Sequence, residues 1–303
     1  MDKPSPYALY MGTLAPNSRR SIQSQLNKIA DIMEWPPDSR EQMFHQVDYQ
    51  IACRIKVELA QQGSSGKTIN RAMSTIRNIV KVAVLMGVIP ENQLIQLSSI
   101  KHEKSPQYQG NPLNATQVMA LLSYLDLDKS VVGFRNKAIF GLLLGAGLRR
   151  SELVALKLND LTLAENRLIV QKGKGNKRRI AFLPDWCVER LHTWLLLRGN
   201  EGEYLFNPVN RTKRINIKLG ITTETIYQLV RSVSNHVGLN NLSPHDLRRT
   251  FITRLLEQDV DLNTVRQMAG HADISTTIIY DKRDQAVMQK AAAKLSYNKQ
   301  KDL

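Results

Sequence analysis

His245, Arg248, His271 and Tyr280 fall within 36 residues of one another, in the runs Ser-Pro-His-Asp-Leu-Arg-Arg and Gly-His-Ala-Asp-Ile-Ser-Thr-Thr-Ile-Ile-Tyr. A phosphodiester under attack gathers negative charge on its non-bridging oxygens, and Arg and His donors fixed in advance around those oxygens stabilise it. A tyrosine hydroxyl beside them is a ready nucleophile. His245 and Arg248 are three apart, so a helix puts both on one face, and Pro244 behind Ser243 suits the first turn of that helix.

Two further basic runs lie upstream. Gly145-Ala-Gly-Leu-Arg149-Arg-Ser-Glu152 follows an apolar stretch, Ala138 to Leu148, whose burial would place Arg149 at the exit of a rigid support. Arg suits a phosphate because its planar fork donates two parallel hydrogen bonds and keeps its charge. An Arg with Glu three residues later is ordinarily a helix-surface pair. From Lys172 to Arg179 five of eight residues are basic (Lys172, Lys174, Lys177, Arg178 and Arg179) and none is acidic, which makes Lys172, Lys177, Arg178 and Arg179 candidate contacts to DNA phosphates. The spacing is not that of a Walker A loop, and Gly145-Ala-Gly147 lacks the third glycine of a dinucleotide fingerprint.

The elements that must position these residues follow from periodicity. Residues 161–183 alternate as strands do, giving three: Leu161–Leu163, Arg167–Val170 and Arg179–Phe182, the last two joined by a hairpin turn at Lys172–Lys177. Helical patterns flank them, one starting at an Asn114 or Thr116 cap and others running from Asp185 to the C-terminus. A tail helix with a modest apolar stripe (Ala286, Val287, Ala291, Leu295) is expected between Asp284 and Ser296. The first hundred residues read as helices. From Thr68 to Gly87 the positions Ile69, Met73, Ile76, Val80 and Ala83 make one buried stripe, and Lys67, Arg71, Arg77 and Lys81 cluster away from it as candidate phosphate contacts. The polar run with Pro106, Gly110 and Pro112 reads as a linker over 106–113. It is expected to separate a helical N-terminal domain, 1–105, which carries the candidate phosphate contacts Lys67, Arg71, Arg77 and Lys81 and so would bind DNA, from a domain, 114–303, which carries the candidate catalytic residues.

Composition sets the class. The chain has 303 residues, 42% hydrophobic and 23% charged, with net charge +15, which points to a polyanionic partner. Residues 106–303 carry 29 basic and 18 acidic side chains against 13 and 9 in residues 1–105, so the larger excess lies with the candidate site. Cys53 and Cys187 are far apart with no CxxC spacing, which argues against a disulfide framework and a zinc site. The N-terminus has no signal-peptide pattern, and the longest apolar run, eleven residues, is too short for a bilayer. A cytoplasmic, DNA-associated protein is expected.

Taken in order, Ala-Gly-Leu-Arg149-Arg-Ser-Glu-Leu, Gly-Lys174-Gly-Asn-Lys-Arg, Ser-Pro-His245-Asp-Leu-Arg248-Arg-Thr and Gly-His271 with Tyr280 nine residues on resemble the motifs of the tyrosine recombinases, the phage-integrase and Xer-like family. Arg249 stands where many members carry another His. The resemblance implies a mainly α protein with a small antiparallel sheet, built as a two-domain C-shaped clamp around duplex DNA. It implies six catalytic residues: Tyr280 as nucleophile forming a 3′-phosphotyrosine, Arg149 and Arg248 on the phosphate oxygens, His245 and His271 assisting, and Lys174 protonating the leaving 5′-oxygen. It also implies strand exchange at specific sites through a Holliday junction by a tetramer of this chain or of this chain with a paralogue, with no metal or nucleotide cofactor. A mobile-element integrase is the favoured role. A type IB topoisomerase-like relaxing enzyme and a DNA-binding accessory protein without catalysis are the alternatives.

Overall fold

Ser65 opens the longest helix by accepting a hydrogen bond from the Thr68 amide at 3.2 Å. The helix buries Ile69, Ala72, Met73, Ile76, Ile79, Val80 and Ala83, the stripe expected from the sequence. In this computed structural model, residues 4–104, 112–171 and 178–281 are described, together with 289, 292 and 293. The chain divides at 109/110 into two compact units.

Unit 1 is helical: α1 (Pro6–Gly12), α2 (Pro16–Ile32), α3 (Arg40–His45), α4 (Tyr49–Gln61), α5 (Gly66–Leu85) and α6 (Glu91–Ser98). Helix α5 is the hub against which α1, α2, α3, α4 and α6 pack. Its stripe joins Leu26, Ile29, Phe44, Ile55 and Leu97 in one core.

Unit 2 begins with α7 (Ala115–Leu127), α8 (Val131–Gly145) and α9 (Arg150–Val154). The Asn114 side chain caps α7 by accepting from the Gln117 backbone N–H at 2.9 Å, and the Gln117 side-chain oxygen accepts in turn from the Asn114 backbone N–H at 3.0 Å. From Ala138 to Gly145 helix α8 is apolar and buried on every face, covered by α7, α12 (Pro244–Glu257) and α10 (Asp185–Arg198). Between α9 and α10 lies an antiparallel sheet in the order β1 (Leu161–Thr162), β2 (Arg167–Val170), β3 (Arg179–Phe182). Leu168 pairs with Ala181 and Val170 with Arg179, so Leu168, Val170 and Ala181 face the core. The first strand is one residue shorter than its expected span, because Leu163 already begins a 3-10 turn that Asn166 closes at φ 47°.

The chain continues through α11 (Thr223–His236), α12, α13 (Leu262–Ala269) and α14 (Ser275–Ile278). The expected hairpin turn at 172–177 lies outside the described residues, as do nearly all of the linker and of the tail helix expected at 284–296. Among the described residues no helix is long and apolar enough to cross a membrane.

Candidate active site

The site starts where α8 ends. Gly147 takes φ +58°, a conformation costly for any residue with a Cβ, and a Cβ there would lie 2.2 Å from Phe251 Cδ1. The turn delivers Arg149 to the first residue before α9. Glu152, in the first turn of α9, accepts from the Arg149 amide at 2.8 Å and from Arg149 Nη1 at 2.6 Å. The same carboxylate accepts from Arg179 Nη1 and Nη2, both at 3.0 Å. Its side chain is 1% exposed. Burial alone would raise the Glu152 carboxyl, but the hydrogen bonds and charges of Arg179 and Arg149 overcome this and hold it below the usual carboxylate range. The Arg149–Glu152 pair is therefore anchored on a buried carboxylate that supports a half-buried guanidinium, not the solvent-facing pair that its spacing ordinarily signals.

Arg248 comes from α12, whose first turn is tied by the Asp246 carboxylate accepting from Ser243 N at 3.0 Å and Ser243 Oγ at 2.6 Å. The Arg248 side chain is buried and donates to the carbonyls of Gly147 and Ala269. Helix α13 ends at Gly270, left-handed at φ +65°, and the Gly270 carbonyl accepts from Arg149 Nη2 at 2.8 Å. Two turns, one before Arg149 and one before His271, thus present carbonyls to the two arginines. Burial, then the charge of Arg149, pushes the Arg248 guanidinium down to about 9, with Glu152 opposing, so it stays charged at neutral pH.

His271 follows Gly270, and its Nδ1 lies 2.9 Å from Thr277 Oγ1. Burial, reinforced by Arg248 and Arg149, drives its pKa down to about 4, so the ring is neutral at physiological pH. The tautomer that donates to Thr277 leaves Nε2 as a proton acceptor, and the other offers an N–H to an oxyanion. Tyr280 stacks on His271 with ring centroids 6.2 Å apart, and the Arg249 guanidinium lies 5.2 Å from the tyrosine ring centre. Tyr280 is 8% exposed and belongs to the apolar cluster of Phe251, Ile252, Leu256, Val265 and Ala269. His245, on the exposed side of α12, is lowered by partial loss of hydration and then by Arg249, Arg248 and Arg149. The arrangement is a cationic donor set around a tyrosine, suited to attack on a phosphodiester. Among the described residues no three His, Cys, Asp or Glu side chains are grouped to hold a metal ion.

Five of the six residues expected from the motifs, Arg149, His245, Arg248, His271 and Tyr280, therefore share one neighbourhood of unit 2. Lys174 lies outside the described residues, as do Lys172 and Lys177. Among the other candidate DNA contacts, Lys67, Arg71, Lys81 and Arg178 are exposed, with Arg71 Nη2 donating to Ser21 Oγ at 2.9 Å. Two others have their donors turned inward. Arg77 donates to the carbonyls of Leu97 and Ile100, both at 2.9 Å, pinning the C-terminal end of α6, where a cation is favoured. Arg179 is held by Glu152, because β3 carries it back towards α9 instead of leaving it at the hairpin tip. The exposed basic residues Arg211, Lys213, Arg214 and Lys218 are not among the sequence-based candidates, although four bases in eight residues without an acid is a visible signal.

Residues 111–286 match the model of the phage integrase family. The chain is 32% identical over 231 residues to the tyrosine recombinase XerA of Pyrococcus horikoshii, covering 76% of this chain and 74% of that protein. It is 33% identical over 236 residues to the tyrosine recombinase XerD of Staphylococcus haemolyticus, covering 77% and 78%. The chain belongs to the phage integrase family of tyrosine recombinases. Its fold is that of the Tn1549 transposon integrase in complex with transposon right end DNA, at TM-score 0.74 and 20% identity over 95% of this chain and 100% of that one. Within this tyrosine recombinase, the motif residues come from α12, from the turn before α9, and from the segment that follows α13.

Proposed function

We propose that the protein is a site-specific DNA recombinase that cuts and rejoins DNA through a 3′-phosphotyrosine on Tyr280 and exchanges strands through a four-way junction. The observation that carries this is the gathering of Arg149, Arg248, His245 and His271 around Tyr280 in a chain whose relatives are tyrosine recombinases. The Tyr280 hydroxyl attacks phosphorus, the bond to the 5′-oxygen breaks, and Lys174 supplies the proton to that oxygen. Arg149 and Arg248 hold the non-bridging oxygens as charge develops, and the neutral His271 is available to receive the phenolic proton. The phosphotyrosine conserves the energy of the broken bond, so a 5′-hydroxyl from the partner strand reverses the step without an added energy source.

Double-stranded DNA is the partner. Unit 1 serves as the second DNA-binding domain, with Lys67, Arg71 and Lys81 towards phosphates, and four subunits assemble on two recombination sites. Relaxation of supercoils by a topoisomerase-like enzyme is the less favoured reading, given relatives named as recombinases. The deciding experiment incubates the protein with nicked suicide duplexes bearing its recombination site and separates products under denaturing conditions. The native chain forms a covalent adduct, and Tyr280→Phe forms none while still binding the duplex, since it loses one oxygen and little volume. An adduct retained by Tyr280→Phe refutes the assignment.

A further inference from the structure

Arg149 has two supports in the structure, the Glu152 carboxylate at Nη1 and the Gly270 carbonyl at Nη2. Both lean on one side chain from a different element. Arg179, on β3, grips both oxygens of Glu152 at 3.0 Å, and its Nε reaches the Met268 carbonyl at 3.3 Å. Its Cδ lies so close to Gly270 that a Cβ there would be 2.9 Å away. We propose that Arg179 is a positioning residue of the cleavage site, which fixes the Arg149 guanidinium by holding both of its supports, rather than a contact to the DNA backbone.

The chemistry of the buried carboxylate supports this. A carboxylate that is 1% exposed persists as an anion only when paired, and a fork-to-fork guanidinium pair is the strongest such partner available to it. Among the described residues the charged groups that act on Glu152 are Arg149 on the turn before α9, Arg179 on β3 and Arg248 on α12, and Lys157 and Asp160 line the same pocket from the segment after α9. Without Arg179 the carboxylate keeps one close partner, takes up a proton at higher pH, and in its neutral form no longer orients Arg149 by charge. Arg179 itself is 12% exposed, and all the donors it uses are directed into the protein. The inference rests on Tyr280 and Arg149 as residues of cleavage, and its test separates the two.

The test is single-turnover cleavage of a suicide duplex at saturating protein, from about pH 5.5 to 8, spanning the range in which a destabilised carboxylate titrates. Arg179→Gln is expected to slow cleavage by about 10-fold to 100-fold, the scale for losing a support behind an active-site ligand. The ratio of variant to native rate should fall further as pH falls. With Glu152→Gln as the background, adding Arg179→Gln should cause little further loss, and the ratio should be flat with pH. Arg179→Lys, which keeps the charge but not the fork, should be intermediate with a flat ratio, and it serves if Arg179→Gln does not fold. An Arg179→Gln rate equal to native at every pH overturns the proposal. So does a pH-independent loss that adds fully to that of Glu152→Gln, the signature of general destabilisation. A normal rate at saturation with a weaker salt dependence of binding also overturns it, since that would make Arg179 a phosphate contact. If the native protein itself forms no Tyr280 adduct, the proposed function fails instead.

Discussion

Gly147→Ala tests how the site is supported, because that glycine serves two purposes at once. Its φ of +58° is reached by alanine at a cost of about 1–2 kcal/mol. The new Cβ would stand 2.2, 2.8 and 2.8 Å from Phe251 Cδ1, Cε1 and Cγ, so the ring must move by more than an ångström within a packed cluster. Overpacking of that kind costs about 1–3 kcal/mol, for a total near 2–5 kcal/mol against the roughly 5–15 kcal/mol that holds a typical domain together. The Gly147 carbonyl accepts from Arg248, so the shift also displaces a guanidinium of the site. Denaturant unfolding followed by circular dichroism measures the loss, and adduct formation on a suicide duplex at a temperature where the variant is folded measures the displacement. Phe251→Ala alone should cost about 3–5 kcal/mol, as Phe251 is 7% exposed. The double variant should be more stable than the sum of the singles by about 1–3 kcal/mol, since the clash is gone and only the backbone strain remains. A Gly147→Ala loss under about 0.5 kcal/mol, or strict additivity with Phe251→Ala, would refute the reasoning.

The remaining predictions concern charge and protons. Lys174→Ala should cleave a normal phosphodiester poorly and a 5′-bridging phosphorothiolate at a near-native rate, because sulfur leaves without a proton; absence of rescue with Tyr280 chemistry intact removes Lys174 as the general acid. His271, at about 4 in the folded protein against an ordinary value of about 6.5, is protonated first in the unfolded chain as pH falls. Its contribution is therefore complete above about pH 6.5 and declines towards pH 4 by up to about 1.4 kcal/mol per pH unit, a slope that unfolding free energies of His271→Asn should lack. Arg77→Ala should destabilise unit 1 by about 1–3 kcal/mol and leave the salt dependence of DNA binding unchanged, since its donors are held by carbonyls. Neutralising Lys67, Arg71 and Lys81 together should instead flatten the log–log salt slope by about 0.9 for each phosphate that the protein no longer neutralises, and an unchanged slope would make them ordinary surface charges.

Local signals are legible in the sequence and long-range ones are not. Strands β2 and β3 match their expected spans, Asn114 caps α7, and Ser243-Pro244 opens α12, because alternation, caps and Pro at the first turn act within a few residues. Arg179 shows the converse. Seen beside four other bases it reads as a charged tip, and its partner Glu152 lies 27 residues away, brought to it only by the sheet. Arg77 sits on the polar side of α5 by the helical wheel, yet its long side chain reaches carbonyls at the end of α6, which no periodicity of α5 contains. Gly145 and Gly147 can be tested against nucleotide fingerprints and rejected, but the need for glycine at 147 depends on a ring from Phe251, more than a hundred residues on.

The acceptors that steady Arg149 and Arg248 include the carbonyls of Gly147, Ala269 and Gly270, and no point mutation deletes a carbonyl. Evolutionary drift can change most side chains around the site without removing these anchors, provided the two turns keep their shape. The burden of inheritance falls on Gly147 and Gly270, whose left-handed turns resist replacement. A lineage can therefore diversify the surfaces that choose its target while part of what pins its arginines is made of atoms common to every residue type, the Glu152 carboxylate being the side-chain exception. A library made to retarget the protein should spare those two glycines before it spares any exposed charge.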